Sequence, residues 1–256
     1  MNYFSLVGVE LKKIRRSKIA WILIVPVFLM WLPSVLNASM NFDVRDIPIK
    51  PENNFFIQGF MGMVWFMIPA TLVICTVLLT QTERSGNGIL KMLSLPVSTA
   101  KLCLAKFTVI LLLAAAQMVI SIGAYYLCAT IASRMQDYAF ALEPLYVCRV
   151  VAGLYLAALP MAAVFWLIAT LIQTPIFSAG IGLASIVPSV LVINTKLWPA
   201  YPMSYPFYVL MTEYGKAAAG FYEARIKWLP WIPVAAAITV LSLILSCMKF
   251  GYAERR

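Results

Sequence analysis

Residues 55–80 read FFIQGFMGMVWFMIPATLVICTVLLT and contain no charged side chain. A helix of about 20 apolar residues crosses the ~30 Å hydrocarbon core of a bilayer, and this stretch is longer than that. Five further apolar stretches of comparable length cover residues 19–38, 107–133, 150–172, 176–195 and 231–248. Only Gln173, Thr174 and Pro175 separate two of them, a gap that predicts a tight helical hairpin because proline cannot continue the preceding helix. The sequence therefore predicts an all-α integral membrane protein with six transmembrane helices.

The composition excludes several classes of protein. Hydrophobic residues make up 62% of the chain and charged residues only 12%, whereas soluble domains carry about 25% charged residues. Histidine is absent, which removes the commonest metal ligand and general base. The five cysteines show no paired spacing, so we predict neither a disulfide nor a metal site; they are Cys75, Cys103, Cys128, Cys148 and Cys247.

The distribution of charge predicts the orientation in the membrane. With both termini in the cytoplasm, the inner face carries twelve basic and three acidic residues, and the outer face carries eight basic and seven acidic residues. Basic residues concentrate on the cytoplasmic side of membrane proteins, where they also meet anionic lipid. The net charge of +10 is therefore explained by the membrane, and no nucleic-acid partner is expected.

Two segments outside the spans have a distinctive pattern. In residues 1–18, the apolar residues Phe4, Val7, Leu11 and Ile14 recur near helical spacing among basic residues, which predicts an amphipathic interfacial helix; a plain charge cluster in front of the first span is the alternative. Residues 196–230 mix prolines with tyrosines, which indicates short interfacial or re-entrant helices in an outer segment, or simply an aromatic belt. Most tryptophans lie near predicted span ends, where interfacial anchors are expected; these are Trp21, Trp31, Trp65, Trp198, Trp228 and Trp231.

The loop between the second and third predicted spans reads QTERSGNGILKMLSLPVSTAKLCLAKF over residues 81–107. Helix-breaking residues at 85–88 and at Pro96 enclose a short apolar run, and Ser98 is suited to cap a following helix. Apolar residues on a cytoplasmic helix need a partner to cover them, and a groove on a soluble subunit would do so. The alternative is an ordinary basic loop that serves only membrane orientation.

This loop resembles the inner loop of type-2 ABC transporter permeases, and within them the lantibiotic-immunity permeases. The similarity lies in residues 93–98 (LSLPVS), in Lys101 through Lys106, and in the acid and base near the end of the second span; the run at 85–88 departs from the family. In such permeases the loop, here residues 81–106, is the coupling helix that docks on the ATPase. The resemblance implies the contact residues Glu83, Arg84, Asn87, Leu90 and Lys91.

The resemblance also implies the surroundings of the chain. Residues 1–256 would form a single permease domain in the cell (plasma) membrane of a bacterium, paired with an identical or paralogous permease and with a dimer of ABC ATPase subunits. The sequence contains no G-x-x-x-x-G-K-[ST] motif, so ATP and Mg²⁺ would be bound by the partner and no cofactor by this chain.

The predicted spans contain no Asp, Glu, Lys or Arg away from their ends, whereas ion-coupled carriers bury such residues. We therefore expect an ATP-driven exporter of an amphipathic or lipophilic substrate, and by resemblance an antimicrobial peptide such as a lantibiotic. The chain itself is not expected to be an enzyme. The alternatives are a sensor or assembly subunit, or a lipid-acting enzyme that uses the outer carboxylates Asp137, Glu143, Glu213 and Glu223.

Overall fold

The computed structural model describes residues 2–15, 19–42, 44, 47–84, 98–218 and 225–250. These ranges form helices, turns and bends without a strand, which confirms the predicted all-α fold. Six helices are long and apolar enough to cross a membrane, and they are numbered here as spans 1 to 6: Ile19–Leu36, Pro51–Gln81, Thr99–Gln136, Pro144–Leu171, Pro175–Val192 and Trp228–Lys249.

Shorter elements flank the spans. The N-terminal helix covers Tyr3–Arg15, which confirms a helix in this segment. Between spans 5 and 6 lie two 3₁₀ turns, Trp198–Ala200 and Pro202–Ser204, followed by the helix Tyr205–Ala217, called here the 205–217 helix. Short helices ahead of the last span are thus confirmed, while their depth in the membrane stays a prediction.

Prolines set several helix boundaries. Pro51, Pro144 and Pro175 begin spans 2, 4 and 5 at the first helical turn, where a missing N–H leaves no bond unmade. Pro188 ends a turn that divides span 5 into Pro175–Ala184 and Ser189–Val192. In span 2, Pro69 follows a π-helical turn at Met63–Met67, as expected where a proline interrupts the regular helical bonds.

The hairpin between spans 4 and 5 confirms the sequence prediction, because only residues 172–174 separate the two helices. The largest differences from the predicted boundaries are at the starts of two spans. Span 3 begins at Thr99 rather than at 107, and span 4 at Pro144 rather than at 150. The first of these differences brings a lysine, Lys106, inside a membrane-spanning helix.

Spans 2, 3 and 4 form the centre of the bundle. The most apolar window of span 2 is 67% buried, and those of spans 3 and 4 are 50% and 56% buried, against 28% for span 1 and 22% for spans 5 and 6. The outer spans therefore present broad apolar faces to lipid or to another membrane subunit. We call the end of the bundle that carries the N-terminal helix the proximal end, and the other the distal end.

A tryptophan lies at the joint between spans 1 and 2. Trp31 is fully buried, and its ring lies 5.4–5.8 Å from the rings of Phe55, Phe60 and Tyr125. A Cβ atom at Gly59 would collide with the indole ring, so only glycine leaves room for it. The expectation that Trp31 is an interfacial anchor is therefore wrong; Trp231, only 5% exposed, is buried as well.

Polar side chains inside the bundle connect neighbouring spans. Gln117 of span 3 donates a hydrogen bond from Nε2 to Oγ1 of Thr71 in span 2, over 3.0 Å. Both side chains are buried, and hydrogen bonds of this kind hold membrane helices together. The pair therefore holds spans 2 and 3 together inside the buried centre of the bundle.

Candidate functional site at the proximal end

The predicted coupling loop is anchored at both ends. Glu83 and Arg84 are the last residues of the helix that continues from span 2, but the structure does not describe their side chains. Asn87, Leu90 and Lys91 lie outside the described residues. Span 3 begins at Thr99, immediately after Ser98. The docking role of these five residues stays a prediction, but the helix that receives the far end of the loop is described in full.

The N-terminal helix packs against this first part of span 3. Its buried residues are Leu6, Val7 and Glu10, which share one helical face because they follow i, i+3 and i+4 spacing. The face differs from the predicted stripe of Phe4, Val7, Leu11 and Ile14, since Phe4 is 79% exposed and Leu11 is exposed as well. A carboxylate has therefore taken a place in the contact that the sequence pattern assigned to apolar residues.

An ionic cluster connects the two helices. Lys106 of span 3 is fully buried, and its Nζ donates to Oε2 of Glu10 over 2.8 Å. The other carboxylate oxygen of Glu10, Oε1, accepts a hydrogen bond of 2.7 Å from Nζ of Lys13. Lys13 has 39% of its side chain exposed, so the cluster extends from the protein interior to the surface.

The two lysines determine the charge state of Glu10. Burial by itself would raise the pKa of this carboxyl, but the charge of Lys106 and its hydrogen bond, together with smaller effects of Lys13, hold the pKa below its ordinary value of 4.5. Glu10 is therefore ionised at neutral pH. Its negative charge compensates that of Lys106, which would otherwise be buried with a large desolvation penalty.

A second polar contact lies close to Lys106 on span 3. The hydroxyl of Tyr3 is 2.5 Å from Oγ1 of Thr108 and donates to the backbone oxygen of Leu104 over 3.2 Å. Tyr3 and Glu10 thus attach the N-terminal helix to span 3 at two points that are about two helical turns apart on that helix.

The distal carboxylates lie at separate elements of the chain. Asp137 follows span 3 in the left-handed backbone region, with a φ of 49°, and Glu143 immediately precedes span 4. Glu213 is paired with Lys216 over 2.6 Å, and Glu223 lies outside the described residues. Within the described ranges, no three His, Cys, Asp or Glu side chains come close enough to hold a metal ion.

Comparison with known families supports a transport role for the bundle. A family model described as ABC-2 family transporter protein matches residues 6–189, which include Glu10, Lys106, the first four spans and most of span 5. The chain belongs to the ABC-2 transporter family. Members of this family are membrane components of ABC transporters rather than catalytic subunits, and the ABC-2 assignment implies association with an ABC ATPase subunit. No curated protein matches the chain.

Sequence reasoning missed the Glu10–Lys106 pair of this ABC-2 protein. Both residues were counted only as charges on the cytoplasmic face, where a base needs no particular partner. One signal was available: Glu10 is an acid among basic neighbours and shares a helical face with Leu6 and Val7. An acid on the apolar face of an amphipathic helix indicates a buried cation opposite it.

Proposed function

We propose that this ABC-2 protein is the membrane-spanning subunit of an ATP-driven exporter that moves an amphipathic or lipophilic substrate out of the membrane. The most specific candidate, by resemblance to lantibiotic-immunity permeases, is an antimicrobial peptide, with self-protection as the result. The chain would act with a second permease, identical or paralogous, and with two ATPase subunits. ATP and Mg²⁺ would bind to those ATPase subunits.

The observation that carries this proposal is the buried Glu10–Lys106 pair at the start of span 3. In the proposed orientation the proximal end faces the cytoplasm, and the predicted coupling loop ahead of span 3 meets the ATPase. Because the N-terminal helix is fixed to span 3 next to this loop, a push on the loop would move two membrane-associated elements together. Such a rigid connection is what transmission of force from a soluble subunit requires.

The composition of the spans supports a separate source of energy. Apart from Lys106, which is paired, the charged residues of the spans lie within the first or last few residues. Proton- and ion-coupled carriers place ionisable groups along the substrate path. An apolar bundle suits a substrate that is already dissolved in the bilayer and needs a lateral path with a mechanical drive.

Co-purification tests the proposed docking of the ATPase on the loop. The chain would be produced together with its proposed ABC ATPase subunit, and the complex isolated through a tag on the permease. We expect a stable complex whose ATPase subunit is lost when Leu90→Asp places a charge on the docking surface.

The matched control is Leu112→Asn, because Leu112 is 45% exposed on span 3, well away from the loop. This variant should keep its ATPase. A Leu90→Asp variant that binds the ATPase and still confers resistance to the peptide would contradict the docking assignment.

A further inference from the structure

A cavity of about 200 Å³ lies between span 4, span 6 and the 205–217 helix. Its walls are almost entirely apolar, and small residues create the space, namely Gly153 and Ala157 on span 4 and Ala235 on span 6. A water molecule takes up about 30 Å³ in the liquid, and a methylene group has a similar size. The cavity therefore accommodates roughly six methylene groups. An apolar space of this size excludes water and favours a hydrocarbon chain.

The cavity opens toward the side of the bundle. At its edge, Leu156 of span 4 is 61% exposed and Ile232 of span 6 is 46% exposed. Both residues belong to membrane-spanning helices, so their exposed faces meet the hydrocarbon of the bilayer. A ligand would therefore enter from the membrane, where acyl chains are by far the most abundant apolar groups.

The indole N–H of Trp231 indicates that such a ligand carries a hydrogen-bond acceptor next to its apolar chain. Trp231, which lines the cavity, is 95% buried, and its indole Nε1 has no hydrogen-bond acceptor among the described residues. A buried N–H without an acceptor is unfavourable by about 1–3 kcal/mol. A carbonyl oxygen next to the apolar chain would supply this acceptor.

The positions of these groups along span 6 fit the anatomy of a phospholipid. Trp231 lies in the first turn of span 6, at the distal end, among the rings of Trp198, Tyr205 and Tyr208. Such aromatic clusters are typical of the headgroup level of the membrane. Ala235 lies one turn deeper along span 6, so a chain passing from Trp231 to Ala235 runs from the interface toward the hydrocarbon.

From these observations we propose that the cavity binds the acyl chain of a membrane phospholipid, whose ester carbonyl accepts a hydrogen bond from Trp231. The bound chain fills the space between spans 4 and 6 and braces the 205–217 helix against both. This site is separate from the proximal site, and its occupant is resident lipid rather than transported substrate.

Photolabelling of the full chain in phosphatidylcholine vesicles tests the site. The probe is a phosphatidylcholine with a diazirine in the upper part of one acyl chain, and mass spectrometry maps the labelled peptides. We expect labelling of spans 4 and 6 around Gly153 and Ala235. Gly153→Leu should reduce this labelling at least fivefold. A Cβ atom added at Gly153 would lie at ordinary contact distance from Val209, so the leucine fits and its side chain extends into the cavity.

Gly123→Leu is the matched control, since Gly123 of span 3 is exposed with open space around it; its labelling should equal that of the unchanged protein. A second comparison does not depend on the folding of Gly153→Leu. The ester-linked probe should label about fivefold more strongly than an ether-linked one that lacks the carbonyl, which is the effect of about one net hydrogen bond. Trp231→Phe should remove that preference.

Three results would overturn the proposal. The first is equal labelling in Gly153→Leu and Gly123→Leu, and the second is an ester preference that is absent from the unchanged protein or survives in Trp231→Phe. The third is displacement of the probe by an amphipathic cationic peptide but not by excess unlabelled phosphatidylcholine, which would assign the cavity to a peptide substrate.

Discussion

Replacement of Glu10 by glutamine tests the attachment of the N-terminal helix most sharply. Loss of this carboxylate removes the negative charge that lies 2.8 Å from the fully buried Lys106. Removal of one partner from a buried ion pair is destabilising by about 3–5 kcal/mol. Since whole domains are stable by only about 5–15 kcal/mol, Glu10→Gln should lower the free energy of unfolding by a substantial fraction of the total.

The cluster also predicts an order among its members. Lys106→Met should lower the free energy of unfolding less than Glu10→Gln does. In Lys106→Met, Glu10 keeps its 2.7 Å bond to Lys13, and the methionine fills the buried space. Lys13→Met should change stability by at most about 1 kcal/mol. The side chain of Lys13 is 39% exposed, so solvent screens its charge. Combining Glu10→Gln with Lys106→Met should restore part of the stability lost in Glu10→Gln alone.

Chemical denaturation of each variant in mixed micelles, followed by tryptophan fluorescence, measures these differences as a double-mutant cycle. Two outcomes would refute the reasoning. One is a Glu10→Gln variant within about 0.5 kcal/mol of the unchanged protein, which is the range of ordinary surface substitutions. The other is simple additivity of Glu10→Gln and Lys106→Met, which would mean that the two charges do not interact.

Three further predictions concern pH, packing and the distal carboxylates. The pKa of Glu10 in the folded protein lies below 4.5. Its contribution to stability is therefore present above pH 4.5 and disappears as the pH falls through the pKa of the folded state. The stability lost on acidification below pH 4.5 should be smaller in Glu10→Gln, as measured by denaturation at successive pH values. Gly59→Ala should lower stability by about 1–3 kcal/mol in the same denaturation assay, because the new methyl group collides with Trp31. Asp137→Asn and Glu143→Gln should leave substrate efflux from cells within twofold of the unchanged protein, since the proposed transport mechanism uses neither carboxylate.

Each of these predictions has its own control. For the acid dependence, Lys12→Gln removes an exposed charge from the same helix and leaves the bonds of Glu10 to Lys106 and Lys13 in place. For packing, Gly123→Ala introduces the same methyl group where nothing lies within 4 Å, and it should be close to neutral. Asparagine at 137 tolerates the left-handed backbone, so a large loss of efflux there would point to chemistry and favour a lipid-acting enzyme.

The number and class of the elements could be predicted from sequence because the membrane restricts the choices. A spanning segment must satisfy its own backbone hydrogen bonds, so a long apolar stretch in such a chain is almost always a helix. Proline at 175 and the short gap before it similarly indicate a hairpin, which the structure confirms. These features depend only on residues that are close together in the chain.

The features that could not be predicted depend on residues far apart in the chain. Span 3 extends back to Thr99 through Lys106, and the charge of this buried lysine is compensated by Glu10 of another helix. Trp31 is in the core rather than at the interface because Gly59 of span 2 leaves room for its ring. Hydropathy and charge counts treat each residue separately and therefore miss such pairs.

The most direct test of the whole account is transport by purified components in sealed vesicles. The chain is reconstituted with or without its ABC ATPase, and movement of an amphipathic peptide is followed with ATP, without ATP and under an imposed proton gradient. We expect movement only when both the ATPase and ATP are present. Movement driven by the chain alone, with the proton gradient or without any nucleotide, would contradict the claim that these apolar spans take their energy from a soluble partner.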